Sequence, residues 1–519
     1  MSLAYRTINN SLFNFLGWLW PIGLSLLATP YIVHHLGKDA YGILALVIAV
    51  LGYFALLDLG LSTATVKYIA EYHAVGNQKM LQKVISSNLL IFIVIGIGGG
   101  TLLAGVTPFL VNNVLRVPPS LADVAEFAFY IGAVGFLFTM MLGVLTAIPN
   151  ALQRYDISNL LGIIIASATT LGTVGLLAAG FWLREVVLWN LFLSVLSVVL
   201  YAVVVRYLLP DLPFRLFFDW PAFRQSLNFG SMALIQRLSG TLLFQLDRFL
   251  IGALLGTVAV TFYVVPANLT KRIHSIVSRV TSIIFPLSSA LHSTEQHLML
   301  QRVYMRSAKF GLLAGSALAA PIAALSFPFL RYWMGLEFAQ EGSAALTILA
   351  LAYYMTSLTA VPSSVVHGIG RPEVNAFFSV GTGVLNVVFC LLLIPRFGLL
   401  GAAYANLTNG LVVPFYLHYV ERHLLKLDTM QMLQKVYLGP MLLGAGILLF
   451  GTLVLAPRIG SLGEAILTIL FSVILYGLLA LILGIIDRED RLLLLGYMRS
   501  SFSQLRGLHP LLSQGEDTP

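Results

Sequence analysis

Two neighbouring apolar stretches of this chain contain an unusual number of cations. Residues 228–291 are apolar enough for two membrane-spanning helices, yet five lysine and arginine side chains lie within them. A charge at the centre of a bilayer costs roughly 2.5–3.5 kcal/mol on insertion scales, so these side chains are expected to face a wet cavity, a counter-charge or the membrane edge. The five cations are Arg237, Arg248, Lys271, Arg272 and Arg279.

The cations recur at helical spacing, which predicts one polar face on each of the two helices. Only a short connection near residue 255 joins the helices, so we expect antiparallel neighbours whose polar faces line one cavity. The polar residues of these faces are Arg237, Thr241, Gln245 and Arg248 in the first helix, and Asn268, Lys271, Arg272, Ser275 and Arg279 in the second.

Acidic residues are too few to neutralise this cavity. Only Asp58, in the first half of the chain, and Asp247 are placed to balance the five cations. The excess of positive charge predicts an anionic ligand, and arginine binds phosphate through paired N–H bonds. In the alternative interpretation, Lys271, Arg272 and Arg279 approach the membrane face and contact lipid phosphates.

Asp58 is also a candidate site for a coupling ion. Ser62 and Thr65 follow it at helical spacing, so it lies on a polar stripe within an apolar span. An intramembrane acid of this kind is a candidate proton or cation site, and the alternative is a hydrogen-bonded structural carboxylate. We therefore assign Asp58 and Asp247 as coupling-ion or counter-charge residues.

The elements that must position these residues are those of an all-α polytopic membrane protein. Of the 519 residues, 58% are hydrophobic and only 10% are charged, a balance that leaves a soluble domain without polar cover. Runs of about 20 apolar residues recur along the chain, as transmembrane helices require. About fourteen such helices are expected, near 12–33, 43–65, 88–110, 126–148, 160–182, 186–206, 229–252, 258–286, 310–330, 344–361, 374–394, 400–420, 438–456 and 463–486.

The basic residues are distributed by topology rather than for nucleic-acid binding. With an inner N-terminus, nineteen of the thirty Lys and Arg lie in inner segments, six in outer segments and five in the seventh and eighth spans. This excess on one side follows the positive-inside rule and predicts that both termini are cytoplasmic. No nucleic-acid partner is expected.

The two halves of the chain resemble each other at an offset of about 217–219 residues. Leu36-Gly37 after the first span corresponds to Leu255-Gly256 after the seventh, and residues 152–158 correspond to 369–375. Six spans is an even number, so the sequence predicts two six-helix lobes in a parallel pseudo-twofold repeat, plus two C-terminal helices. The predicted divisions are 1–207 for the first lobe, 208–227 for a linker, 228–425 for the second lobe, 436–487 for the extra helix pair and 488–519 for a cytoplasmic tail.

Motifs of enzymes and metal sites are not found in the sequence. There is no phosphate-binding loop ending in Gly-Lys-Ser/Thr, no HExxH and no GxSxG, so neither ATP hydrolysis nor an enzyme is expected. Cys390 is the only cysteine, which excludes disulfides and cysteine-ligated metal sites within one chain. The prediction is no catalytic residue, no metal and no cofactor, with coupling to H⁺ or Na⁺ left open.

Three stretches carry a resemblance to a known family. They are residues 36–71, with an LG…YG turn and a DLGL segment; residues 242–269, followed by FPLSSAL at 285–291; and residues 368–407, with Asn386 and an LIPRFGLLGAA segment. With the fourteen expected spans, the chain resembles bacterial O-antigen and exopolysaccharide flippases, the polysaccharide transporters of the multidrug/oligosaccharidyl-lipid/polysaccharide exporter superfamily.

This resemblance implies a pair of lobes that opens alternately to each side of the bacterial inner membrane. The implied substrate is a polyprenyl-diphosphate-linked oligosaccharide, moved towards the periplasm at the expense of a proton or sodium gradient. The five cations would then contact the diphosphate or acidic sugars. Membrane lipids, a polysaccharide polymerase and the chain-length machinery are the implied partners of a monomeric flippase.

One departure concerns the first span. Peptidoglycan-precursor flippases of the superfamily also place arginines there, whereas this chain has Trp18 and Trp20 and no cation after Arg6. An aromatic wall that stacks on sugars is consistent with this, with Trp18, Asn14, Thr241, Gln245, Asn268 and Ser275 as sugar- or lipid-lining residues. The alternatives are a cation-coupled multidrug or metabolite antiporter, a peptidoglycan-precursor flippase, and an assembly scaffold without transport.

Overall fold

A computed structural model describes the backbone of residues 3–210, 212, 216–281, 283–487 and 490–491, and the side chains of those residues from 20 onward except 232–245. Every regular element in these ranges is helical. The first half contains α1 (Leu3–Leu36), α2 (Lys38–Phe54), α3 (Leu61–Ala74), α4 (Gln78–Phe109), α5 (Ala122–Leu145), α6 (Ala147–Ala151), α7 (Tyr155–Ala178) and α8 (Leu183–Leu208).

The second half repeats this order and adds a helix pair. It contains α9 (Trp220–Leu254), α10 (Thr257–Thr281), α11 (Ile284–Ser293), α12 (His297–Ala324), α13 (Ser326–Met334), α14 (Leu336–Ser357), α15 (Ala360–Gly368), α16 (Pro372–Phe397) and α17 (Leu399–Tyr419). One member of the pair is the helical segment Thr429–Arg458, which contains α18 (Thr429–Met432) and α19 (Leu438–Phe450), and the other is α20 (Leu462–Ile482). Because α9 begins at Trp220, its first residues lie in the segment expected as linker; the domain limits remain predictions.

Ten helical segments of the described residues are long and apolar enough to cross a membrane. The helices α1, α9, α10 and α17, with 34, 35, 25 and 21 residues, would complete the expected fourteen. The polytopic all-α class predicted from composition is therefore confirmed, while the number fourteen stays a prediction.

The internal repeat is confirmed by backbone geometry at the turns. Four pairs of equivalent turns have a residue with positive φ, at offsets of 219, 219, 217 and 218 residues. Two of these eight residues are not glycine. The turn therefore requires the left-handed backbone conformation even where the residue has a side chain that disfavours it. The pairs are Gly37 and Gly256, Gly76 and Glu295, Gln153 and Gly370, and Gly180 and Gly398.

Side chains at the third pair of turns repeat as well. Arg154 pairs with Asp156 at 2.9 Å, and Arg371 pairs with Glu373, as the register of the two halves predicts. In each pair the guanidinium Nε donates to the carboxylate, at 3.0 Å for Arg154. Each acid lies in the first turn of the following helix, where negative charge is favoured.

Two sides of the molecule can be defined from these turns, because helices between them cross alternately. The turns at Gly76, Gln153, Glu295 and Gly370 lie on one side, called the basic face below; it is the side expected to be cytoplasmic. The turns at Gly37, Gly180, Gly256 and Gly398 lie on the other side, called the opposite face.

The lobes contact each other near the opposite face through polar groups of α2, α10 and α14. Lys38 forms an ion pair with Glu337, and the hydroxyl of Thr257 donates to Asp39. The hydroxyl of Thr261 donates to the carbonyl of Lys38 at 2.6 Å. These contacts join the start of α2 to the second lobe.

The lobes also contact each other near the basic face, where α9 passes α3 and α4. The ammonium of Lys83 lies 2.7 Å from the carboxylate of Asp219, and Asn88 donates to Ser226 at 3.2 Å. Deeper in the interface, Gly60 lies against Gly230 so closely that a Cβ on Gly60 would be 2.0 Å from the Gly230 carbonyl oxygen. Only glycine fits this crossing.

Candidate functional site

The hairpin formed by α9 and α10 is antiparallel, as predicted, since only two residues separate the helices. Five predicted side chains cannot be placed in it or opposite it, because they lie outside the described side chains. They are Asn14 and Trp18 on α1, and Arg237, Thr241 and Gln245 on α9.

The predicted polar face of α10 is the accessible one. Asn268 and Arg279 are exposed, while Lys271, Arg272 and Ser275 are half-buried. In the same half of the helix the other side is packed in the protein, with Thr270, Ile273, Val277 and Thr281 buried. A helix with this division keeps its charged groups towards a solvated space rather than in the packed interior.

Arg248 and Asn268 are brought together across the hairpin. The guanidinium of Arg248 donates to the amide oxygen of Asn268 at 2.9 Å. Lys271 lies one helical turn further along α10, within electrostatic reach of Arg248 and Asp247. Arg248 and Lys271, two of the five predicted cations, therefore lie near each other in this part of the hairpin.

Arg272 faces a cavity between the two lobes. The cavity is lined by Ser25 and Thr29 of α1, Tyr41 of α2 and Trp333 of α13. The indole of Trp333 donates to the carbonyl of Leu26 at 3.1 Å, which ties α13 to α1 beside the cavity. Arg272 thus presents a guanidinium to the space between the lobes. Arg279 lies at the basic-face end of α10, where a contact with the cavity and a contact with lipid headgroups are both consistent with its position.

Asp247 lies at the centre of a buried polar cluster in the second lobe. Its side chain is only 2% exposed and accepts a hydrogen bond from the hydroxyl of Tyr263. The amide of Asn406 donates to that hydroxyl at 2.9 Å, and the N–H of Arg248 donates to the carboxylate at 2.7 Å. Three helices, α9, α10 and α17, therefore meet at one carboxylate.

Asp58 has a local role in the first lobe. It is 4% exposed and ends a 3₁₀ turn, and its carboxylate accepts the N–H of Ser62 at 2.9 Å. Leu59 and Gly60, with φ of 51° and 75°, interrupt the helix between them. The carboxylate caps the start of α3, which fits the structural alternative; its role in ion coupling remains a prediction.

Lys67 is a candidate site residue that the sequence did not indicate. Lys67 lies in α3 and lines a second cavity. Its ammonium lies 4.4 Å from the ring centroid of Phe229 and 4.6 Å from that of Tyr68. The helix α3 begins after the break at Leu59 and Gly60 and packs against α9. The other polar residues of this cavity are Ser62, Thr63, Thr146 and Asn150.

Comparison with known proteins gives the family. The family model described as "Polysaccharide biosynthesis protein" matches residues 8–292, which is more than half of the chain. The chain belongs to this family. A relative from Shigella flexneri, "Putative O-antigen transporter", is 21% identical over 401 residues, covering 76% of this chain and 93% of the relative. "Uncharacterized membrane protein EpsK" of Bacillus subtilis is 24% identical over 428 residues, covering 79% and 82%.

Solved structures show the same fold. The "Lipid II flippase MurJ, inward closed conformation" matches with a TM-score of 0.74 at 14% identity, over 91% of this chain and 98% of that chain. An inward-facing multidrug resistance MATE family transporter of the MOP superfamily matches with a TM-score of 0.67 at 14% identity, over 79% and 98%. This member of the polysaccharide biosynthesis family is thus a multi-pass membrane transporter and not an enzyme.

The residues available for a metal centre can also be stated. Among the residues that the structure describes, no group of three or more His, Cys, Asp and Glu side chains is close enough to hold a metal ion. The polar groups of the α9–α10 hairpin are instead arranged as a cationic face beside one buried carboxylate. That combination suits an anionic ligand and a small cation.

Proposed function

We propose that this protein is a flippase that moves polyprenyl-diphosphate-linked oligosaccharide units across the bacterial inner membrane by alternating access. The cationic face of α10, open to the space between the lobes at Arg272, carries the proposal. A diphosphate is the anionic part of such a lipid, and guanidinium groups bind phosphate oxygens through paired, charge-assisted hydrogen bonds. Membership of the polysaccharide biosynthesis family and similarity to an O-antigen transporter support the substrate class.

The diphosphate would be held from both lobes. Arg248, Lys271 and Arg272 come from the α9–α10 hairpin, and Lys67 comes from α3 of the first lobe. A headgroup that contacts cations on both lobes stabilises the lobes at one separation. Binding of the headgroup is therefore linked to the arrangement of the lobes. The saccharide would follow the diphosphate into the interlobe space.

The Asp247 cluster is the proposed coupling site. Its carboxylate is surrounded by one phenol, one amide and a backbone N–H, so binding of a proton or Na⁺ would change the charge of a nearly closed polar centre. Arg248 follows Asp247 directly, and neutralising the carboxylate strengthens the net positive charge that the substrate meets. Cation binding and anion binding would therefore be coupled within one hairpin.

The orientation follows from the basic face. We propose that this face is cytoplasmic with both chain termini, because it receives most of the Lys and Arg in the connecting segments. The substrate would enter there and leave towards the periplasm, where a polysaccharide polymerase and the chain-length machinery would receive it. A monomer with no cofactor suffices for this cycle.

Charge reversal tests the proposal. We expect Arg272→Glu to abolish surface polysaccharide in a complemented deletion strain, and Arg272→Gln to weaken binding of a polyprenyl diphosphate to the purified protein about 10- to 100-fold, the equivalent of one charge-assisted hydrogen bond. Arg302→Glu is the matched control, since Arg302 is an exposed cation near the basic-face end of α12. Normal polysaccharide in Arg272→Glu, or equal losses in both variants, would contradict the proposal.

A further inference from the structure

The second lobe contains a polar pocket that the proposed substrate path does not use. It lies among α14, α15, α16 and α17 on the side of the basic face, and its lining includes hydroxyls and amides but no charged residue. Five of the polar residues at its wall are Thr356, Thr359, Ser379, Thr382 and Asn409. A neutral polar pocket between helices of one lobe needs an occupant of matching chemistry.

The polar lining continues beyond the pocket along α16. Asn375, Ser379, Thr382 and Asn386 are spaced by four, three and four residues, which places them on one helical face. Eleven residues of helix correspond to about 16 Å of membrane depth. The stripe begins near the Gly370 turn at the basic face and ends at Asn386 in the buried interior.

A second stripe on α17 runs to the same end. Tyr416, Asn409 and Asn406 lie on one face, and Tyr416 donates to Asn375 of the first stripe at 2.6 Å. Asn406, at the inner end, donates to Tyr263 and lies 3.4 Å from the carboxylate of Asp247. Both stripes therefore lead from the basic face towards the Asp247 cluster.

The threonines of the pocket present acceptors. The hydroxyls of Thr356, Thr359 and Thr382 donate to backbone carbonyls three or four residues earlier in the chain, at 3.0, 2.8 and 2.7 Å. Their donor capacity is used, so oxygen lone pairs remain for the pocket. A lining of neutral acceptors suits water and small cations and disfavours anions.

Two buried amides mark the junction between the pocket and the Asp247 cluster. The Oδ1 atom of Asn409 and the Nδ2 atom of Asn386 have no hydrogen-bond partner among the described residues, and the two side chains are 6% and 0% exposed. Buried polar atoms in proteins are nearly always satisfied by protein or ordered water. Water between the stripes would satisfy both amides and make the polar path continuous.

The first lobe shows that the stripe is not a requirement of the fold. The offset between the halves is 217 residues at the Gly370 turn, so Ser379 corresponds to Gly162 and Thr382 to Ile165. The offset is 218 residues at the Gly398 turn, so Asn409 corresponds to Leu191. The end members of the stripe, Asn375 and Asn386, correspond to Ser158 and Thr169, so the first lobe has polar residues at the ends but lacks the polar middle that makes the stripe continuous. This difference points to a function specific to the second lobe.

We propose that the stripe from Asn375 to Asn386 is a hydrated half-channel through which a monovalent cation, H⁺ or Na⁺, passes between the basic face and Asp247. The proposal rests on the coupling role proposed above for Asp247. It assigns the pocket to the ion rather than to the saccharide. The two cations share this acceptor chemistry, and separate measurements with each distinguish them.

Blocking the pocket should change the rate of ion binding and leave the affinity unchanged. In reconstituted protein, we expect Thr382→Leu to slow ²²Na⁺ binding, or the proton uptake seen by a pH indicator after a pH jump, about tenfold or more. The control is Thr169→Leu on α7, whose hydroxyl also donates to a carbonyl of its own helix, at 2.8 Å. Equal rates in the two variants would refute the half-channel if Asp247→Asn still abolishes ion binding. Ion binding that survives Asp247→Asn would instead refute the coupling role.

Thiol accessibility gives a second test that does not depend on ion binding. Ser379→Cys lies on the stripe, and Val384→Cys lies on the exposed apolar side of α16. In proteoliposomes, we expect a small cationic thiol reagent to modify Ser379→Cys at least about tenfold faster than Val384→Cys, above the background of the buried Cys390. Equal or slower modification at position 379 would overturn the proposal, as would protection of that position by a polyprenyl-linked saccharide but not by Na⁺ or acid.

Discussion

The crossing of Gly60 and Gly230 gives a sharp prediction about lobe packing. A Cβ on residue 60 would lie 2.0 Å from the carbonyl oxygen of Gly230, whereas ordinary contact begins near 3.4 Å. Gly60→Ala therefore forces α9 away from α3 by more than an ångström. The backbone of α9 is the obstacle, so no side-chain rotation relieves the contact.

The size of the effect follows from a matched control. Gly60 and Gly76 have φ of 75° and 69°, so alanine at either position meets a similar left-handed penalty of roughly 1–2 kcal/mol. A Cβ at Gly76 meets nothing within 4 Å. Overpacking in a tight contact costs about 1–3 kcal/mol, and this amount should separate the two variants.

Two measurements test this expectation in purified protein. Unfolding should show Gly60→Ala less stable than Gly76→Ala by about 1–3 kcal/mol. Spin labels on α3 and α9 should move apart in Gly60→Ala and keep their wild-type distance in Gly76→Ala. Equal stabilities together with an unchanged label distance in Gly60→Ala would refute the reasoning, because the close approach would then exert no force on the lobes.

Three further outcomes are expected. Lys67→Gln should weaken polyprenyl diphosphate binding about tenfold, measured with purified protein, through loss of a charge-assisted phosphate contact. The hydrogen bond from Lys83 lowers the pKa of the Asp219 carboxyl in the folded protein. The pair therefore contributes about 1 kcal/mol of stability above the ordinary carboxyl pKa near 4, and this contribution is lost as the pH falls through the lower pKa of the folded state. Asp219→Asn should remove this pH dependence from an unfolding titration between pH 7 and 3. Glu421→Gln should destabilise the second lobe by about 1–3 kcal/mol in thermal unfolding, because the buried carboxylate accepts a hydrogen bond from Tyr437.

The repeat and the cationic hairpin could be predicted from sequence because both depend on local spacing. The Arg154 and Arg371 turns have equivalent backbone positions and equivalent ion pairs, and the offset between the halves contains that information. Helical periodicity likewise placed Arg272 on the accessible side of α10. Neither inference needed knowledge of how distant helices pack.

The parts that could not be predicted depend on contacts between distant segments. Asn406 meets Asp247 across 159 residues of sequence, and no spacing rule relates them. The position of Lys67 depends on the short break at Leu59 and Gly60, and this break cannot be recognised in an otherwise apolar span. Its cavity forms only when Phe229 of the second lobe packs beside it.

The equivalent turns also record how the chain was assembled. The distance between the first two turns is 39 residues in each half, whereas the next distances are 77 and 75 residues, then 27 and 28. Such a pattern is expected from duplication of one six-helix unit, with small differences in chain length between the turns. The equivalent turns have the same positive φ even where one half has Gln153 or Glu295 and the other half has glycine. The turns therefore preserve the repeat more closely than the segments between them, where the polar and charged positions differ between the two halves.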